Sequence, residues 1–216
     1  MLRFTARRRI TRLAPVTNAQ RFSLLACEIL GAPALIAALG IFLIGDVGEG
    51  AFEELNLLKR TAIGIPAGAN LGWPCFEGFR AFSTSALCQN LTLNNTHQPV
   101  AVFGYVDDFH TIIGGYRYRG PVSAFEGFYL GADSVNSNRQ KIVVARPAVT
   151  SAIGQAQPQW PYVPLNSAQL LAVSAPLSYV VSLAQDRVGN LYTLDFNGDI
   201  QQFTFNPDVE FQSRFE

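Results

Sequence analysis

The chain has 216 residues, 49% of them apolar and 12% aromatic, and its sixteen Lys and Arg balance sixteen Asp and Glu. That length suffices for one sizeable domain or two small ones with a core that needs no staples. A charged fraction of 15%, against about 25% in ordinary globular chains, excludes a nucleic-acid binder and a disordered tail, while 18 Gly and 12 Pro exclude a coiled coil or helical bundle and point to a turn-rich, strand-dominated fold.

The neutral total is a sum of two unlike parts. Residues 1–27 carry Arg3, Arg7, Arg8, Arg9, Arg12 and Arg21 and no acid, so this end is +6 and the rest, 10 basic against 16 acidic residues, is −6. An apolar run follows from Ser23 to Ile44, broken only by Glu28 and Pro33. About 20 residues are needed to cross a bilayer as a helix, so residues 23–44 stand at the border of a membrane anchor that would leave the rest of the chain outside. A cleaved signal peptide is the second reading, with Ala38-Leu39-Gly40 as the cleavage site. A transit peptide fits less well, because the run is too long and too little amphipathic. The fourth reading is a buried segment ending in a strand over Ile41–Ile44.

From Gly45 onward short apolar or alternating runs recur between Gly, Pro and Asn clusters, as strands do. The predicted strands are Ile41–Ile44, Glu53–Leu58, Thr111–Tyr118, Gly127–Ala132, Lys141–Ala145, Tyr179–Ala184, Leu191–Leu194 and Ile200–Phe205. A helical turn or two is an alternative at Glu53–Arg60 and an expectation at Ala168–Val173. Val188-Gly189-Asn190 and Asn197-Gly198 are tight-turn signals, so Ser178–Phe205 reads as a three-stranded meander. Between the second and third strands, Ala67–Val100 is a long loop rich in Gly, Asn and Thr, and such loops have a functional or a stapled reason to exist.

That loop holds Cys75 and Cys88, with twelve residues between them, and the sequons Asn90-Leu91-Thr92 and Asn94-Asn95-Thr96. The cysteines are either buried thiols or a bridge, and a bridge across a loop of that size stabilises by about 3 kcal/mol. Cys27 stands alone in the apolar run, and the spacing fits no zinc site. Two sequons in one polar loop point to glycosylation at Asn90 and Asn94 and to an oxidising, exported location. Glu53-Glu54 and Asp107-Asp108 are adjacent carboxylates, which on a strand point to opposite faces and cannot share a proton or a metal. Trp73 and Trp160 read as packing or loop anchors.

Several segments resemble a known family in its own order. Ile44-Gly45-Asp46-Val47-Gly48-Glu49 followed by Phe52-Glu53-Glu54-Leu55-Asn56 is similar to "GDVGQ…EEIN". Ala69 to Gly78, with Gly72-Trp73-Pro74-Cys75-Phe76-Glu77-Gly78 at its centre, resembles "NYGWPCYEG". Ile113 to Gly120 resembles "GGYVYRG", Phe128 to Asp133 "YVFGD", and Gly189 to Leu194 "GELYVL". A weaker sixth, Asn18 to Ser23 against "RNPWRFS", lacks the arginine at Thr17. By this resemblance the chain is identified as a relative of the soluble quinoprotein glucose/sorbosone dehydrogenases, which include the extracellular domain of hedgehog-interacting-like proteins.

The resemblance implies an all-β fold, a partial six-bladed β-propeller of about three C-terminal blades. At about 40–45 residues a blade, six blades exceed the length at hand, so an open arc is expected, with strand edges free to associate with another chain. Related secreted sequences carry a cysteine pair like Cys75 and Cys88, which favours the bridge. The family oxidises a sugar hydroxyl or aldehyde with pyrroloquinoline quinone and calcium, using a histidine base. That base lies in the N-terminal blades, and neither His97 nor His110 stands in similar surroundings, so no catalytic residue is assigned. Calcium is held in the family by backbone carbonyls that fall on Gly48 and Glu49. Asn18 matches a quinone-contacting asparagine, and Arg139 lies near the residue that pairs with quinone carboxylates. The expectation is a sugar dehydrogenase-like protein with an incomplete or inactive chain. The alternative is a non-catalytic extracellular binding segment, and a membrane-anchored β module is the third reading.

Overall fold

The computed structural model describes residues 41–59, 68–134, 141–147, 156–166 and 179–203. Twelve β-strands and four short 3-10 turns make up these residues. The fold is all-β: among the described residues there are three sheets and one small hairpin, every pairing antiparallel and no sheet closed on itself.

The first sheet joins β1 (Ile41–Asp46), β2 (Phe52–Lys59) and β5 (Ala101–Gly104), with β2 in the middle. The register runs from Ile41 opposite Lys59 to Asp46 opposite Glu54. Residues 53–60 are thus a strand and not a helix up to Lys59, because β2 is laddered on both sides and a helix would forfeit both sets of partners. Leu55 and Leu57 enter one core, while Glu54 and Asn56 are buried on the opposite face. Since Ile41–Ile44 belongs to β1, the apolar run 23–44 is not one continuous helix, and residues 1–40 lie outside the described residues. Among the described residues no helix is long and apolar enough to cross a membrane. The turn expected at Ala168–Val173 also lies outside them.

Between β2 and β5 comes the long loop. It carries a hairpin of β3 (Phe76–Glu77) and β4 (Arg80–Ala81), with Gly78 in the left-handed region at φ 60°, and a disulfide between Cys75 and Cys88. His97 ties the loop back to the sheet, its Nε2–H donating to the Leu57 carbonyl.

The second sheet is a four-stranded meander, β6 (Ile112–Arg117), β7 (Tyr129–Asp133), β8 (Lys141–Ala145) and β9 (Tyr162–Asn166). Both of its faces are covered, so its inner strands lose the polar alternation of a half-exposed sheet. On β8, Val143 and Ala145 enter the core shared with the first sheet, where Leu55, Phe103 and Trp160 lie. Ile142 and Val144 enter the core shared with the third sheet. Gly115 sits where the β6–β7 register shifts, and a Cβ there would lie 1.8 Å from the Leu130 carbonyl oxygen. Only glycine fits.

The third sheet is the meander expected from the sequence: β10 (Val180–Gln185), β11 (Leu191–Asp195) and β12 (Ile200–Gln202). Asp186 organises its first turn by accepting from the backbone N–H groups of Val188 and Asn190 and from the Asn190 side chain. Asp195 does the same in the second, accepting from the N–H groups of Asn197 and Asp199. The three sheets meet through their first strands: β6 packs on β1 on one side and on β10 on the other. Gly45 of β1 and Gly114 of β6 allow a close approach, since a Cβ on Gly45 would stand 3.1 Å from the Gly114 nitrogen.

Candidate functional site

The β1–β2 turn, residues 47–51, carries the two carbonyls named as calcium donors, Gly48 and Glu49. A single carboxylate oxygen shapes it. Glu77 Oε1 accepts the backbone N–H groups of Gly50 and Ala51 at 2.9 Å each and of Phe52 at 3.2 Å. Three converging N–H groups form an anion-binding concavity, and here the anion is the protein's own. Burial pushes the Glu77 carboxyl up, but these donors outweigh it and hold the group below its ordinary value. Gly48 has no room for a side chain, because its Cβ would lie 1.8 Å from the Phe52 carbonyl oxygen and 2.5 Å from Glu77 Oε1. Its own carbonyl accepts the Tyr105 hydroxyl at 3.1 Å.

A cavity opens between this turn and the disulfide loop. Asp46, Glu49, Glu54 and Glu77 line it, facing Leu71, Trp73 and Phe76. Glu54 is buried on the cavity face of β2, accepting from the Gly78 N–H and from Asn56 Nδ2. Burial, reinforced by the charges of Asp46 and Glu77, raises its carboxyl to about 7. Asp46 is raised by burial as well.

Glu53 points the other way, as adjacent strand residues must. Its Oε2 accepts the Ile112 N–H at 2.8 Å, across the junction between the first and second sheets. Burial raises it to about 7, the Ile112 hydrogen bond and the nearby Tyr105 hydroxyl oppose the rise, and Asp133 adds to it. Asp133 stands on the far side of that junction, its Oδ1 accepting the N–H groups of His110 and Thr111 at 2.9 and 2.8 Å. These two buried acids clip the start of β6 to its neighbours. Tyr105, pushed up by burial and by Glu53, keeps its proton at any physiological pH.

The donor chemistry at the turn fits a hard cation: backbone carbonyls and carboxylates are the oxygen ligands calcium prefers. Among the described residues no group of three or more His, Cys, Asp or Glu side chains is arranged to hold a metal. An anionic quinone fits poorly, because among the described residues four acidic side chains and no Lys or Arg line this cavity. Its sequence-named partners, Asn18 and Arg139, lie outside the described residues.

Both histidines have structural partners and neither lines the cavity. His97 is 4% exposed and bound to Leu57, while His110 pairs with Asp108 at 3.4 Å and lies on the Tyr105 ring with centroids 4.7 Å apart. Cys75 and Cys88 are bridged. Asn90 and Asn94 are exposed on the loop. Trp160 is a core residue, whereas Trp73 stays 36% exposed and stacks on Phe82 at 4.9 Å. Glu77 and Tyr105 were missed as site residues. The only sequence signal for Glu77 was its place in Phe76-Glu77-Gly78, and Tyr105 had none. No protein-family model and no solved structure matches the chain.

Proposed function

We propose that the three sheets are successive blades of a β-propeller of the quinoprotein glucose/sorbosone dehydrogenase kind, and that the β1–β2 turn is a calcium site of that lineage. The observation that carries this reading is the packing of β6 between β1 and β10. Successive antiparallel sheets that touch by their first strands are what blades around an axis would show. The Gly45–Gly114 approach fits the same geometry, because it joins two of the segments on which the family resemblance rests.

In this reading the carbonyls of Gly48 and Glu49 hold the cation, Glu77 fixes the turn that presents them, and Tyr105 orients the first of them. Pyrroloquinoline quinone is the hydride acceptor in that lineage, and the acidic lining of this cavity does not suit it. With both histidines of the chain engaged elsewhere, the family's histidine base has no counterpart at this cavity, which favours a dehydrogenase-like scaffold without turnover of its own. The test is reconstitution with calcium and the quinone, read by dye reduction with aldoses. The expected result is cation binding without dye reduction, and turnover would overturn the inactive reading.

A second reading, an extracellular binding segment, is favoured by apolar surface in two places. Trp73 and Phe82 form an exposed aromatic pair beside the cavity, and Val181, Leu194 and Ile200 are exposed on the third sheet, Ile200 by 71%. Such a face, next to the short strand β12, suits association with another chain. The disulfide supports an exported, oxidising location in either case.

A further inference from the structure

We propose that Asn90 and Asn94 are acceptors of N-linked oligosaccharide, which makes the disulfide-closed loop a glycosylated one; the inference rests on the exported location proposed above. Both residues open an Asn-x-Thr sequon, and neither x is proline. The fold adds the discriminating observation. Four other asparagines in the described residues work for the structure: Asn56 donates to Glu54, Asn70 accepts from the Gly72 N–H, Asn95 accepts from Thr92, and Asn190 donates to Asp186. Asn90 and Asn94 are exposed, and among the described residues neither side-chain amide has a hydrogen-bond partner. Their substitution by a glycan therefore breaks no contact.

The base from which the glycans would project is firm. Cys88 is bridged two residues before Asn90, Thr96 Oγ1 donates to the Leu93 carbonyl at 2.8 Å, and Gln98 Nε2 donates to the same carbonyl at 3.3 Å. Two polar glycans would also solvate the neighbourhood of Leu87, which is 74% exposed on the same loop. In the transfer, the asparagine Nδ2 bonds to C1 of the first sugar of a lipid-pyrophosphate-linked oligosaccharide. The C1–oxygen bond breaks, the lipid pyrophosphate leaves with the electron pair, and the displaced amide proton passes to a base of the transferase.

The test expresses the full chain in a eukaryotic secretory cell, once with its own N-terminus and once behind a heterologous cleavable signal, with peptide mass mapping before and after N-glycosidase. Occupancy of both positions is expected, with Asn90→Gln and Asn94→Gln each losing one glycan and the double variant losing both. A signal-fused chain recovered with its Cys75–Cys88 bridge formed but carrying neither glycan would overturn the proposal. One occupied position would overturn it for the other. Glycans on the fused chain and none on the chain with its own N-terminus would uphold the acceptor sites and count against the exported location instead.

Discussion

The phenol of Tyr105 donates to the carbonyl of Gly48 at 3.1 Å, across 57 positions of sequence. It links the end of β5 to the turn between β1 and β2, at the atom expected to ligate a cation. Tyr105→Phe removes the donor and keeps the ring on His110. The expected cost is about 1 kcal/mol, read as a lower denaturation midpoint with an unchanged slope. Calcium affinity should change less than in a variant that alters the turn itself.

Glu77 is the residue on which that turn depends. Glu77→Ala strips the acceptor from three N–H groups at once, and a charge-assisted bond of this sort is worth about 1.5–3 kcal/mol. Stability should fall by at least that much in equilibrium denaturation, and calcium binding should fall with it. Glu77→Gln keeps one carbonyl acceptor and is expected to lose less of both.

The buried acids should move the stability optimum to the acid side. Glu53 and Glu54 rise from 4.5 to about 7 in the folded state. Between those values the folded chain holds protons that the unfolded chain has released, so stability falls as pH climbs through the window and levels off above it. Melting temperature should therefore be higher at pH 5 than at pH 8. Glu54→Gln, which needs no proton to stay neutral, should flatten the profile. A melting temperature that rose from pH 5 to pH 8 would mean that these carboxyls are not held protonated.

The Cys75–Cys88 bridge anchors the loop between the cavity residues Trp73 and Phe76. Its loss by Cys88→Ser should cost about 3 kcal/mol through the freedom returned to the unfolded loop. Because Phe76 and Glu77 follow Cys75 directly, the cavity should loosen as well. Weaker calcium binding in the reduced protein checks that.

Much of this fold was legible in the chain. Lys141–Ala145 was bounded to the residue by a continuous apolar run, as expected of a strand covered on both faces. The third meander was readable from Gly189 and Gly198, both in the left-handed region that tight turns require. Ala101–Gly104 and Tyr162–Asn166 were missed. The first is four residues long, the second carries Pro164 in an outermost strand, and both are held by pairing with distant partners rather than by their own pattern. The site divides in the same way. Gly48 and Glu49 were named as calcium donors from local resemblance alone, whereas Glu77 and Tyr105 reach the same turn over 25 or more positions and leave no local trace.

Calcium placed crystallographically tests the central claim most directly. Crystals of the protein soaked in calcium should show anomalous density within about 2.3–2.6 Å of the Gly48 and Glu49 carbonyl oxygens. A cation bound elsewhere, or a turn that stays free of one at saturating calcium, would contradict it.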